Sequence, residues 1–232
     1  MDVVRPERPT LTREETVAAA VALADSEGLE AVSMRRLAEQ LGVATMTPYS
    51  HLAGKDELLD LMHDAVAHEM LVPEPLPVGW RPALRAIALH THDAIEAHPW
   101  VLDAHSHSPR LRLNLTLHIE QSLSVVEMIG VEPEQGGAVL MAVDDYVIGH
   151  CMRRRARQRA IRTMRAAQAA GEPRPELDPE VQAAFDDGRL DLLKRAFGSH
   201  RRHPSRFGLP PEADFEQGLE WMLDGIEAMA SS

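Results

Sequence analysis

Apolar residues recur at helical spacing along almost the whole chain. Thr12 opens the first such segment, and Glu15 three residues later completes a Thr-x-x-Glu capping box. Val17, Ala20, Val21 and Ala24 follow at i, i+3, i+4 and i+7, and Gly28 is expected to supply a left-handed stop. Ser33 caps a second, shorter helix carrying Leu37, Ala38 and Leu41, ended by Gly42. The pattern then predicts a third helix from near Thr45 through "MTPYSHL" to Ala53-Gly54. Pro48 is admissible there, because with Thr45 as N-cap the first-turn amides have no intrahelical partner. "KDELLDLMHDAVAHEML" predicts a fourth helix with Leu58, Met62, Ala65 and Val66 as its apolar stripe.

"VPEPLPVGW" is a break, with three prolines and a glycine in nine residues. It divides the chain into residues 1–72 and 73–232. Beyond it, segments near 80–97, 100–105, 109–129, 134–169, 179–197 and 213–230 read as helix. "AAGEPRPELDP" and "GSHRRHPSRFGLPPE" read as loops, and no alternating strand pattern or short-period repeat stands out. The predicted fold class is all-α.

Composition narrows the function. Only nine of 232 residues are aromatic, so alanine, leucine, valine and methionine must fill the core, a mix that favours helices. A single cysteine, Cys151, excludes an internal disulfide and fits a reducing compartment. "MDVVRPERPTLT" has no apolar run of the signal-peptide kind, so a cytoplasmic location is expected. No run approaches 18 apolar residues, and no membrane span is expected. A net charge of −12 excludes a protein that coats nucleic acid by charge alone. There is no Gly-x-Ser-x-Gly elbow, phosphate loop or dinucleotide fingerprint, so an enzyme is not expected. The pairs "HTH" at 90–92 and "HSH" at 105–107 would splay on a helix, and no His-Glu-x-x-His accompanies them. No metal or cofactor is therefore expected.

Two helices of about eight residues joined by a glycine-containing turn have the geometry of a helix-turn-helix, whose second helix enters the DNA major groove. Thr45, Met46 and Thr47 occupy its first turn, where small polar groups and an apolar side chain can meet base edges or thymine methyls. Tyr49 and His51 suit phosphate contacts, and Lys55 can clamp the backbone from the next helix. Pro48 and Leu52 share a face and, with Val43, would anchor the segment on its own core. Residues 1–60 nevertheless carry six basic against eleven acidic side chains, so affinity must come from focused contacts.

The run "LTREETVAAAVALADSEGLEAVSMRRLAEQLGVATMTPYSHLAGKDELLDLMHDAV" resembles the DNA-binding domain of the TetR family of bacterial transcriptional repressors. "SMRRLAEQLGV" and "MTPYSHLAGKDELL" carry the likeness, and "DFEQGLEWMLDGIEA" resembles the last helix of a tetracycline-repressor-type C-terminal domain. Proline at 48 and serine at 50 depart from the family's usual aliphatic and larger residues. The resemblance implies an N-terminal three-helix helix-turn-helix domain and a larger helical ligand-binding and dimerisation domain. It implies a homodimeric regulator, released from a palindromic operator on double-stranded DNA by a small-molecule effector. The alternative is a helix-turn-helix protein without small-molecule control. By motif position, Thr45, Met46 and Thr47 fall where base contacts occur, Tyr49, His51 and Lys55 where phosphate contacts occur, and Arg35 where the preceding helix reaches DNA.

The effector pocket is expected among the helices of 80–150, with His63, His90, Trp100, His118 and Tyr146 as candidate ligand-binding residues. Leu140, Asp144, Val147, Ile148 and Cys151 share a face of one long helix. Phe215, Leu219, Met222, Leu223, Ile226 and Met229 share a face of the last, and the two faces are expected to build a four-helix dimer interface. The seven arginines of "RRRARQRAIRTMR" read as a solvated helical extension rather than a nucleic-acid patch.

Overall fold

The structure is a computed structural model, and it describes residues 11–103, 110–172, 178–197 and 214–231. Among the described residues there are nine α-helices and no strand. They are α1 (Arg13–Glu27), α2 (Met34–Leu41), α3 (Lys55–Met70), α4 (Trp80–Ala97), α5 (Leu113–Glu127), α6 (Pro133–Ala169), α7 (Pro179–Asp186), α8 (Asp191–Phe197) and α9 (Phe215–Ala230).

The local signals placed the first two helices. Thr12 caps α1 through a complete capping box with Glu15, an arrangement worth about 1 kcal/mol. Gly28 ends α1 at φ 89° and ψ 162°, a positive-φ conformation that suits glycine but lies outside the left-handed helical turn expected. Ser33 accepts from the Arg36 amide to open α2, and Gly42 closes it in the left-handed conformation at φ 66°, ψ 29°.

The third predicted helix is not an α-helix. Residues 44–51 wind through consecutive i→i+3 hydrogen bonds, from the amides of Thr47, Tyr49, Ser50 and His51 to the carbonyls of Ala44, Met46, Thr47 and Pro48. Only Pro48–Ser50 forms a regular 3₁₀ turn. Pro48 has no N–H to donate and its ring crowds the carbonyl of residue 44, so that carbonyl accepts from Thr47 instead. Two further predicted helices are altered. Where the sequence predicts helix over 100–105, the described residues form a 3₁₀ turn at Pro99–Leu102 and residues 104–105 lie outside them, and 179–197 is split where the Asp187 side chain accepts from the Arg189 amide.

Two compact units emerge. The first comprises Met1–Cys151 with Leu219–Ser232, and the second Met152–Gly218. In the first, α3 is central: it packs against α1, α4 and α5, while α4 also packs on α5. Its stripe Leu58, Met62, Val66, Ala67 and Met70 is buried, whereas Ala65 is only half-buried. Truncating Leu58 or Met62 would cost about 2–5 kcal/mol. Where α5 and α6 meet, a side chain on Gly136 would stand 2.8 Å from Val126 Cγ1, so glycine sets that approach. The second unit holds the arginine-rich half of α6, with Arg153, Arg159, Arg162 and Arg165 exposed as a solvated face requires.

Candidate nucleic-acid interface and effector site

The segment after α2 has an inner and an outer side. Pro48 and Leu52 are buried and Val43 is half-buried, which anchors the turn as expected. On the outer side Met46 is 70% exposed, Thr45, Tyr49, His51 and Lys55 are exposed, and Thr47 is half-buried. Arg35 is exposed on α2 and reaches Glu39 only at 3.8 Å. Six of the seven residues singled out from the sequence are thus exposed, on α2, the turn and the first residue of α3.

Glu57 fixes the exit of this segment, and sequence reasoning missed it. Its Oε2 accepts from the Ala53 amide at 2.7 Å, and its other oxygen pairs with Arg13 of α1. The Ala53 amide, then Arg13 and Arg112, hold the Glu57 carboxyl below the usual carboxylate range. The available signal was an acidic residue in the first turn of α3, beside an N-cap, Gly54, that has no side chain to cap with.

Three sets of contacts join α3 to the body. Asp64 accepts from the amides of Asn114 and Leu115 at 2.9 and 3.3 Å, so a carboxylate on one helix caps the start of another. The Gln121 side chain bonds both the amide and the carbonyl of Val72 at 2.9 Å. Glu69 lies 3.2 Å from His98 Nε2, while His98 Nδ1 and Trp100 Nε1 both stand 2.8 Å from Asp25 Oδ1 on α1.

The five candidate ligand residues do not form one cluster. The rings of His63 and Trp100 lie 5.5 Å apart, tilted by 39°. Tyr146 lies 6.3 Å from His150, whose ring faces His92 at 5.6 Å. His118 is buried on α5, its Nδ1 has no hydrogen-bond partner among the described residues, and burial pushes its pKa down. His90 points elsewhere, into an open depression lined by Glu69, Asp93, Ala94 and Ala97. His98 and His150, buried polar groups near these candidates, were missed, and His92 enters only as half of the 90–92 pair, because nothing in the sequence distinguishes a buried histidine from an exposed one. His105 and His107 lie outside the described residues.

The outer faces of α6 and α9 form an apolar groove lined by Gln135, Ala138, Val139, Ala142, Met222, Gly225, Ile226 and Met229. Trp221 and Met141 are also exposed. Leu219 and Leu223, placed at an interface from the sequence, are both 0% exposed and belong to the core. Arg81 holds α9 on α4: it bonds Glu220, Asp224 and Glu227 at 2.6–3.0 Å, and Arg85 adds a second bond to Glu220. These arginines hold the Glu220 carboxyl below its ordinary range.

Comparison with known proteins decides the family. Residues 72–230 match the model of the tetracyclin repressor-like C-terminal domain, and residues 17–62 that of bacterial regulatory proteins, tetR family. The chain belongs to the tetR family. It is 36% identical, over 98% of its length and 81% of the relative's, to the HTH-type transcriptional repressor DrrR1 of Streptomyces coeruleorubidus. It is 25% identical to the class C tetracycline repressor protein of Escherichia coli, over 94% of this chain and 92% of that one. The crystal structure of Streptomyces coelicolor ActR in complex with actinorhodin superposes with a TM-score of 0.70 at 26% identity, covering 97% of this chain and 99% of ActR. This tetR-family chain is a helix-turn-helix transcriptional regulator that binds DNA. Among the described residues, no helix of the tetR-family fold is long and apolar enough to cross a membrane.

Proposed function

We propose that this chain is a homodimeric repressor that a small molecule releases from a palindromic operator. Residues 1–72 read the DNA, and residues 73–232 bind the effector and pair the subunits. The observation that carries this reading is the double use of α3. Glu57 at its start fixes the exit of the reading turn, and Asp64, two turns later, caps α5 of the body. A change at the body end of α3 therefore reaches the reading turn through one rigid element.

In this reading Thr45, Met46 and Thr47 meet base edges, while Arg35, Tyr49, His51 and Lys55 hold phosphates. His118 and the groups around Trp100 and Tyr146 face the effector, and the α6–α9 groove packs against its counterpart across a two-fold axis. The protein works in the cytoplasm as a binding protein with no catalytic step. ActR is bound to actinorhodin, and an Escherichia coli relative is a tetracycline repressor, so these two compounds are the first effector probes. A band-shift with the DNA upstream of its own coding sequence tests the reading. Binding that weakens as an effector is added supports it, and binding to no DNA of defined sequence overturns it.

A further inference from the structure

His92, Glu96 and Cys151 offer one ligand atom each, and the three atoms lie within 4.8 Å of one another. His92 and Glu96 are four apart on α4 and so share a face, and Cys151 comes from α6. This is not the His90–His92 pair of the sequence, whose members point different ways. Cys151 is 1% exposed and His92 8%, whereas Glu96 is only half-buried and leaves a way in from solvent. We propose that these three residues form a binding site for a thiophilic divalent transition metal, with zinc as the reference ion.

The donor set selects the ion. Imidazole, carboxylate and thiolate are zinc ligands, with bonds of about 2.0–2.3 Å that put tetrahedral neighbours about 3.3–3.8 Å apart. The cluster therefore needs only a modest inward turn of its side chains. Magnesium and calcium, which take oxygen donors, are disfavoured by two of the three groups. Charge matches as well. An ionised thiol and carboxylate carry two negative charges, which a divalent ion cancels in a largely buried place. His92 Nδ1 stands 3.0 Å from the Asp93 carboxylate, the outer contact that commonly orients a metal-bound imidazole, so that Nε2 is presented to the ion. Three protein ligands leave a fourth position for water. Binding releases the thiol proton, so affinity rises with pH.

The bland alternative is that Cys151 is a buried structural thiol between helices. One property separates the two. Cys151 is the chain's only cysteine, so any thiolate-to-metal charge-transfer absorption reports this site, whatever the other histidines bind. The experiment titrates cobalt(II) into the reduced, metal-free full-length protein and then displaces it with zinc. We expect a near-ultraviolet charge-transfer band saturating at one equivalent per chain and bleached by zinc. Cys151→Ser should abolish the band. Glu96→Gln and His92→Ala should weaken zinc binding by about tenfold or more, since even losing an outer-shell partner costs about 10–100-fold. His68→Ala, an exposed histidine on α3, should change nothing. Absence of the band at saturating cobalt overturns the site, as does a band whose affinity is unchanged in Glu96→Gln. Circular dichroism shows whether Cys151→Ser folds; should it not, Glu96→Gln, at a half-buried position, decides alone.

Discussion

Asp25, near the end of α1, stands 2.8 Å from His98, which opens the 3₁₀ turn beyond α4, and the same Asp25 oxygen accepts from the indole of Trp100. One carboxylate on the first helix of the DNA-binding part thus holds two residues of the body. Helix α3 runs continuously from the reading turn towards the body, but it is not the only element touching both parts: α1 also packs against the Pro99–Leu102 turn. The head is held at two points, which turns its position into a two-point constraint rather than a single hinge.

The reading turn yields the first prediction. Met46→Ala or Thr47→Ala should change base preference if, as proposed, the exposed Met46 and half-buried Thr47 meet base edges. Lys55→Ala or Tyr49→Phe should weaken binding to all sequences alike. Loss of the Lys55 charge should also flatten the salt dependence by about one in the log–log slope. Band-shifts on operator variants at several salt concentrations check both. An altered preference with an unchanged slope in Lys55→Ala would reverse the assigned roles.

Assembly gives the second. Ala142→Glu or Met222→Glu places a charge in the α6–α9 groove and should yield helical monomers that bind operator far more weakly, since in the proposed dimer each head makes half the contacts. Leu219→Glu should instead unfold the protein, because Leu219 is wholly buried within its own subunit. Sedimentation and circular dichroism separate the two outcomes. A wild-type protein that sediments as a monomer at micromolar concentration contradicts the proposed pairing.

The contrast at Leu219 shows how far the sequence could be read. Helical spacing identified α9 and its apolar stripe, and capping chemistry located the starts of α1 and α2 to the residue. Spacing cannot say which partner an apolar face meets, so core leucines and groove methionines looked alike. Pro48 permits either an α or a 3₁₀ start, and the competition for one carbonyl decided it. The clamps from Glu57 to Arg13, Asp64 to Asn114 and Asp25 to Trp100 were illegible because each joins residues 44 to 75 positions apart. The turn and its exposed outer side were legible because cap, turn and anchor lie within fifteen consecutive positions.

Asp144 supplies a pH prediction. Burial, and then its neighbour Asp145, push its pKa up to about 6 from 3.8. The folded state therefore keeps the proton between these values. Its contribution to stability is full below about pH 4 and falls as pH rises through about 6, a loss on the order of 2–3 kcal/mol. Asp144→Asn should accordingly raise the melting temperature at pH 7.5 and do much less at pH 4.5. An equal gain at both values would mean that the carboxyl titrates normally.

The two-point attachment of the head predicts how coupling is lost. An effector can weaken operator binding only by its differential affinity for two body conformations, and a typical coupling of about 1–3 kcal/mol corresponds to about 5–150-fold. If α1 and α3 both transmit it, neither alone carries all of it. Asp25→Ala removes the contacts to His98 and Trp100 but leaves the Asp64 cap and the Gln121–Val72 pair in place. Glycines at Ala65 and Ala67 loosen α3 at about 1 kcal/mol each in propensity, and Ala67, being buried, adds a packing loss. Each change alone should reduce the effector's effect on operator affinity while effector binding persists, and the two combined should abolish it. Operator affinity with and without an effector found by band-shift, alongside direct effector titration, measures this. A full response in Asp25→Ala would remove α1 from the route, and a full response in the combined variant, with α3 shown to be loosened, would remove both.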